Sequence, residues 1–192
     1  MSDYFILRSK PSISNPDVKG YMEIEDWDDS EGFEGWSVGK PAKSQPQGTV
    51  VIRARRHEGY KGEPDDFSDH NIPLMSKRLK EAIESAGVDN ITFYPVTVRT
   101  KKETYEYFAF NLVGLVSVVD PASEIKSPDG DFLGDSSITD LVIDDEKGRG
   151  LLMFRLKEKF SVILVHKKLK EVIEQRGIAS VKFLAPEDFM AL

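Results

Sequence analysis

From Leu74 to Phe93 the chain reads LMSKRLKEAIESAGVDNITF, and from Leu164 to Phe183, ninety residues on, it reads LVHKKLKEVIEQRGIASVKF. Leu74, Lys77, Leu79, Lys80, Glu81, Ile83, Glu84, Gly87 and Phe93 return as Leu164, Lys167, Leu169, Lys170, Glu171, Ile173, Glu174, Gly177 and Phe183. One supersecondary unit used twice accounts for this spacing. A solenoid needs about three or more units to bury a continuous core. Two copies therefore predict a quasi-symmetric pair inside one domain spanning residues 1–192, with a turn-rich β part over 1–71 and both copies within 72–192.

In the first copy Leu79, Ala82, Ile83 and Ala86 fall at i, i+3, i+4 and i+7, the apolar face of an amphipathic helix. Ser76 is placed to cap its start and Gly87 to end it, because a left-handed backbone costs glycine least. The second copy repeats the face with Leu169, Val172 and Ile173 and ends at Gly177. His166 stands where Ser76 stood, which predicts a weaker cap. A β-rich segment follows each glycine, at 91–98 and 181–184, so each unit reads strand, helix, strand. If the two strands of a unit lie side by side, their crossover should be right-handed.

Outside the copies, segments 4–8, 20–25 and 49–53 are short and rich in aromatic or β-branched residues, between turns marked by Pro and Gly. Residues 58–71 read as a polar loop. Residues 104–119 alternate and then run apolar, as in a strand buried on both faces at the centre of a sheet. Beyond a turn-rich stretch, 138–143 and 151–154 read as further strands joined by a charged turn. The expected class is α+β: one mixed, mostly antiparallel sheet with two long helices drawn from the internal strand-helix-strand repeat.

The chain of 192 residues has no cysteine, which removes disulfide frameworks, thiolate metal sites and cysteine nucleophiles. Its 33 acids against 26 bases leave a net charge of −7, a sign that opposes attraction to nucleic acid or to an anionic membrane. No segment approaches the ~20 apolar residues of a membrane span. The first residues, MSDYFILRSK, lack the basic start and long apolar run of a secretory signal, so the expected location is the cytosol.

Motifs that could carry chemistry are few. Residues 129–140 briefly resemble a calcium loop, with Gly134 at the turn and Asp140 at the closing position, but Leu133 occupies a ligand position and no bidentate glutamate follows. His57, His70 and His166 show no paired ligand spacing. His70 lies near Asp65, Asp66 and Asp69, which could in principle surround a metal or orient a base, but the pattern is read as a solvated acidic loop. No nucleophile elbow, phosphate-binding loop or dinucleotide glycine pattern occurs. Lys77, Arg78 and Lys80, with Lys167, Lys168 and Lys170, crowd the two helix starts, where the macrodipole disfavours cations. They read either as an anion or acidic-partner locus or as an exposed face of pairs such as Lys80 with Glu84.

Between Glu23 and Glu34 lie seven carboxylates and no base, interleaved with Trp27 and Phe33 and followed by Trp36. Carboxylates steer encounter with a basic protein, and aromatic rings fill pockets on it. The candidate docking residues are therefore Glu25, Asp26, Trp27, Asp28, Asp29, Glu31, Phe33 and Trp36. The alternative is an acidic loop whose tryptophans complete the core.

The blocks IPLMSKRLKEAIESAGVDNITFYPV, ETYEYFAFNLVGLVSVVD, LVIDDEKGRGLLMFRLKE and VILVHKKLKEVIEQRGIASVKF, in that order, resemble a bacterial immunity-protein family, the polymorphic-toxin immunity family numbered eleven. The resemblance runs from about Ile72 to Asp188, and the first ~70 residues carry little of it, as would suit a part that varies with its partner. It implies a cytosolic protein that neutralises a cognate secreted antibacterial toxin by stoichiometric binding, with no catalytic residue, no metal and no cofactor. An acidic protector suits a basic toxin domain such as a nuclease, and the eight docking residues become candidate toxin-binding residues. The competing reading is a partner-binding regulatory or adaptor domain with no linked toxin.

Overall fold

The computed structural model describes residues 2–9, 22–27, 32–56, 65–69, 73–126 and 136–189. In chain order the elements are β1 (Tyr4–Ser9), β2 (Met22–Trp27), β3 (Val50–Arg56), β4 (Phe67–Asp69), β5 (Pro73–Ser76), α1 (Lys77–Ser85), β6 (Ile91–Arg99), β7 (Thr104–Leu112), β8 (Leu115–Val116) and β9 (Glu124–Lys126). They continue as β10 (Ser137–Thr139), β11 (Met153–Leu156), β12 (Ile163–His166), α2 (Lys167–Gln175) and β13 (Val181–Leu184). The class is mixed α+β with mostly antiparallel pairing; of the strand pairs, β3 with β6 and β8 with β11 run parallel. In place of the expected single sheet there are a six-stranded sheet ordered β2-β3-β6-β7-β5-β4, a five-stranded sheet ordered β13-β1-β12-β11-β8, and the hairpin β9-β10.

The helices are shorter than expected, nine residues each. They stop where the sequence places their ends, before Gly87 and Gly177, which sit at φ +85° and +67° in a left-handed backbone. Ser76 Oγ accepts from the Leu79 N–H at 3.3 Å. His166 caps as well, its Nδ1 accepting from the Lys168 N–H at 3.2 Å, one residue nearer the helix start.

The strands flanking each helix do not lie side by side. β7 separates β5 from β6 and is antiparallel to both, and β1 separates β12 from β13 in the same way. Residues 104–119 do not form one strand, because Gly114, at φ +147°, divides β7 from β8. Strand 138–143 stops at Thr139, where Asp140 turns the chain at φ +52°. The loop expected over 58–71 contains a strand, β4, whose Phe67 is buried.

Three apolar cores hold these layers. The first joins both helices to one face of each sheet, through Leu79, Ala82, Ile83, Leu169 and Ile173 against Leu7, Phe67, Met75, Phe110, Met153 and Val165. The second covers the other face of the five-stranded sheet, where Val118, Ile138, Leu141 and Phe189 pack on Tyr4, Ile6, Phe154 and Leu164. The third covers the other face of the six-stranded sheet, where Phe33 and Trp36 pack on Val50, Ile52, Val96, Val98 and Ala109. Complete burial of one such side chain contributes about 1.5–3 kcal/mol.

Candidate partner-binding surface

Strand β2, which carries Glu25, Asp26 and Trp27, lies at the end of the six-stranded sheet and pairs antiparallel with β3. Its register shifts by a bulge between Ile24 and Asp26. Ile24 lies opposite Ala54 and Trp27, three residues on, opposite Ile52. Glu23 and Asp26 stand opposite the exposed Arg55 and Arg53. Opposite charges at facing positions of an antiparallel pair stabilise it by about 0.2–1 kcal/mol.

Two of the seven carboxylates thus lie at positions paired with bases of the neighbouring strand. The missed signal was the alternation VIRARR over 51–56, in which Ile52 and Ala54 point inward and Arg53 and Arg55 outward. Phe33 and Trp36 lie within the third core at 6% and 1% exposure. Their rings meet edge-on at 4.9 Å, and the Trp36 indole N–H donates to the Ser44 carbonyl at 3.3 Å. Asp28, Asp29 and Glu31 lie outside the described residues, as do His57, His70 and most of the calcium-like loop.

A second acidic locus is buried. The Asp66 carboxylate, 1% exposed, accepts from the Ser76 hydroxyl at 2.5 Å, from Arg78 Nε at 2.5 Å and Nη2 at 2.8 Å, and from the Ser180 hydroxyl. Burial opposes its charge, yet these donors prevail and hold its pKa below the usual value. Asp65 beside it lacks such donors in the balance: burial, then the Asp66 charge, push it up to about 6. A raised carboxyl can serve as a general acid or base. Among the described residues, however, no three His, Asp or Glu side chains converge as a metal site would require. The locus fastens β4, the start of α1 and the turn before β13 to one another.

Four of the six bases at the helix starts, Arg78, Lys80, Lys167 and Lys170, have side-chain partners. Lys80 pairs with Glu84 at 2.7 Å and lies 5.1 Å from the centroids of both Phe93 and Phe108. Lys170 pairs with Glu174 at 3.0 Å and lies over Phe5 at 5.0 Å and Phe183 at 5.9 Å. Lys167 reaches Asp3 at 2.8 Å. The exposed i, i+4 face and the aromatic platforms under it account for these cations without an anionic ligand.

The chain matches the immunity protein family Imm11 over residues 4–188 and belongs to that family. A search of curated proteins finds no match. The family match begins at residue 4, which corrects the expectation that the first ~70 residues stand outside it. The fold supplies the reason: β1 is an interior strand of the five-stranded sheet and β3 pairs with β6, so the N-terminal part is structural. Among the described residues, no helix is long and apolar enough to cross a membrane.

Proposed function

We propose that this chain acts in the cytosol as one unit that binds a cognate bacterial toxin domain and holds it inactive by stoichiometric inhibition. The observation that carries the reading is the match of residues 4–188 to the immunity protein family. Binding, with no catalytic step, suits a chain whose buried carboxylate Asp66 is occupied by structural donors. The net charge of −7 favours a basic toxin, such as a nuclease, over nucleic acid or a membrane as partner.

The docking surface we assign is the β2 edge and the residues after it: Glu25, Asp26, Trp27, Asp28, Asp29 and Glu31; Phe33 and Trp36, buried in the third core, are left out of it. Co-expression of the chain with the toxin domain encoded beside it should protect cells and yield a 1:1 complex. No complex and no protection would refute the reading and favour an adaptor with no linked toxin. Reversing Asp26, Asp28, Asp29 and Glu31 together to lysine should slow association and flatten its salt dependence, since rim charges act mainly on encounter. Unchanged kinetics in a folded variant would move the interface elsewhere on the protein.

A further inference from the structure

We infer that the chain is a doubled β-β-α-β-β unit whose second copy is circularly permuted, so that the N-terminal strand β1 is the closing strand of the C-terminal unit. Four strands of the large sheet run β6-β7-β5-β4, and four of the other run β13-β1-β12-β11. Each pair of matching positions has the same pairing sense: β4 with β5, β5 with β7 and β6 with β7 are antiparallel, as are β11 with β12, β12 with β1 and β13 with β1. The first unit is continuous in the chain as β4, β5, α1, β6, β7. The second is β11, β12, α2, β13 and then β1, from the other end of the protein.

Register makes the correspondence residue-specific. Met75 faces Phe108, and Val165, its counterpart ninety residues on, faces Phe5. That equates 107–112, YFAFNL, with 4–9, YFILRS, and both begin Tyr-Phe. The paired sheet neighbours agree, since Phe93 faces Phe110 and Phe183 faces Leu7. The lysine platforms follow the same mapping: Lys80 covers Phe93 and Phe108, and Lys170 covers Phe183 and Phe5. Contacts between the units are reciprocal as well. Asn90 donates to the Met153 carbonyl in the second unit at 2.9 Å, and its counterpart Ser180 bonds Asp66 at the edge of the first.

The strand mapping ends at Leu184, which faces Ile6 as its counterpart Tyr94 faces Ala109. Beyond that point β6 runs on to Arg99 and a turn closed by the Thr100 N–H donating to the Glu103 carbonyl at 2.8 Å. The second unit instead turns through Pro186–Asp188, and Phe189 shares a core with Tyr4 and Ile6, with the Arg8 guanidinium 5.6 Å from its ring. After β13 the chain thus stays against β1 without forming the hairpin of the first unit.

The test is a full-length permutant in which Phe189 is joined to Ser2 by a long, flexible glycine-serine linker and the chain is reopened between residues 15 and 16. A companion with the same opening replaces residues 185–189 by PVTVRTKKET, the stretch that follows Tyr94 in the first unit. The inference concerns the fold and is read by unfolding, so it stands apart from toxin binding. The glycine-serine permutant should melt cooperatively within about 5 °C of the natural chain. A glycine-serine permutant that is insoluble or melts without cooperativity overturns the inference, whether the companion folds or not; a companion that also folds shows that the hairpin of the first unit can close the second.

Discussion

Ser180 lies against Asp66, 114 residues earlier in the chain: its hydroxyl accepts from the Asp66 backbone N–H at 2.8 Å and donates to the Asp66 carboxylate. With Ser76 and Arg78 this makes Asp66 a polar fastening between the two large sheets. Asp66→Ala leaves three hydroxyl or guanidinium groups without their acceptor and should cost about 2–4 kcal/mol in urea unfolding. Arg78 is half exposed and can return to water, so Arg78→Ala should cost less, about 1 kcal/mol.

Ile83 and Ile173 occupy the same position of the two helices and are both fully buried in the shared core. Truncation of either to alanine should lower stability by about 2–5 kcal/mol. A loss under about 1 kcal/mol at both positions, measured by denaturant titration, would contradict their place in that core.

The carboxyls of Asp65 and Asp66 shift in opposite directions, so their pH signatures separate. The Asp65 pKa is raised from 3.8 to about 6, so folding takes up a proton and this residue's cost appears as pH rises from about 4 through 6. Asp65→Asn should therefore gain about 1–2 kcal/mol at pH 7, after solvent screening, and nothing below pH 4. Asp66 is lowered, so its stabilisation is present above its ordinary value and is lost as pH falls through the lower folded value. Thermal melts of both variants from pH 3 to 8 check the two signs.

His166 titrates against its own cap. Burial, the largest influence, lowers its pKa and outweighs the Asp3 charge, and the Nδ1 lone pair that accepts from Lys168 exists only on the unprotonated ring nitrogen. Its contribution is present above the usual histidine value near 6.5 and is lost as pH falls through the lower folded value. His166→Asn keeps an acceptor at the cap and should flatten the loss of stability on acidification, read as the slope of melting temperature against pH.

The lysine platforms predict matched effects. Lys80→Ala and Lys170→Ala each remove a cation over two rings and one i, i+4 pair, and each should cost about 1 kcal/mol. Effects that differ by more than about 1 kcal/mol between the two sites would show that the two surroundings are not equivalent.

The helices were legible because each repeated stretch is continuous: apolar spacing, cap and terminal glycine all lie within twenty residues of one another. Strand order was not, because the strand between β12 and β13 comes from the opposite end of the chain and shares only Tyr-Phe with β7. β4 escaped notice because Phe67 is its one large apolar residue among polar neighbours. At the acidic segment, charge counted along the chain missed Arg53 and Arg55, which sheet pairing places opposite Asp26 and Glu23. Trp36 could be read as docking ring or core residue from sequence, and only tertiary packing places it inside.

Because β1 sits between β12 and β13, residues 4–9 find their place only once residues 163–184 have been made. At roughly 5–20 residues per second, that wait is about ten seconds or more. A message cut short before residue 184 leaves β1 with one or both neighbours incomplete and an open ladder of amide groups, the kind of edge that invites aggregation and disposal. Copies cut short there are therefore exposed to removal, which ties the supply of folded protein to synthesis of both neighbours of β1.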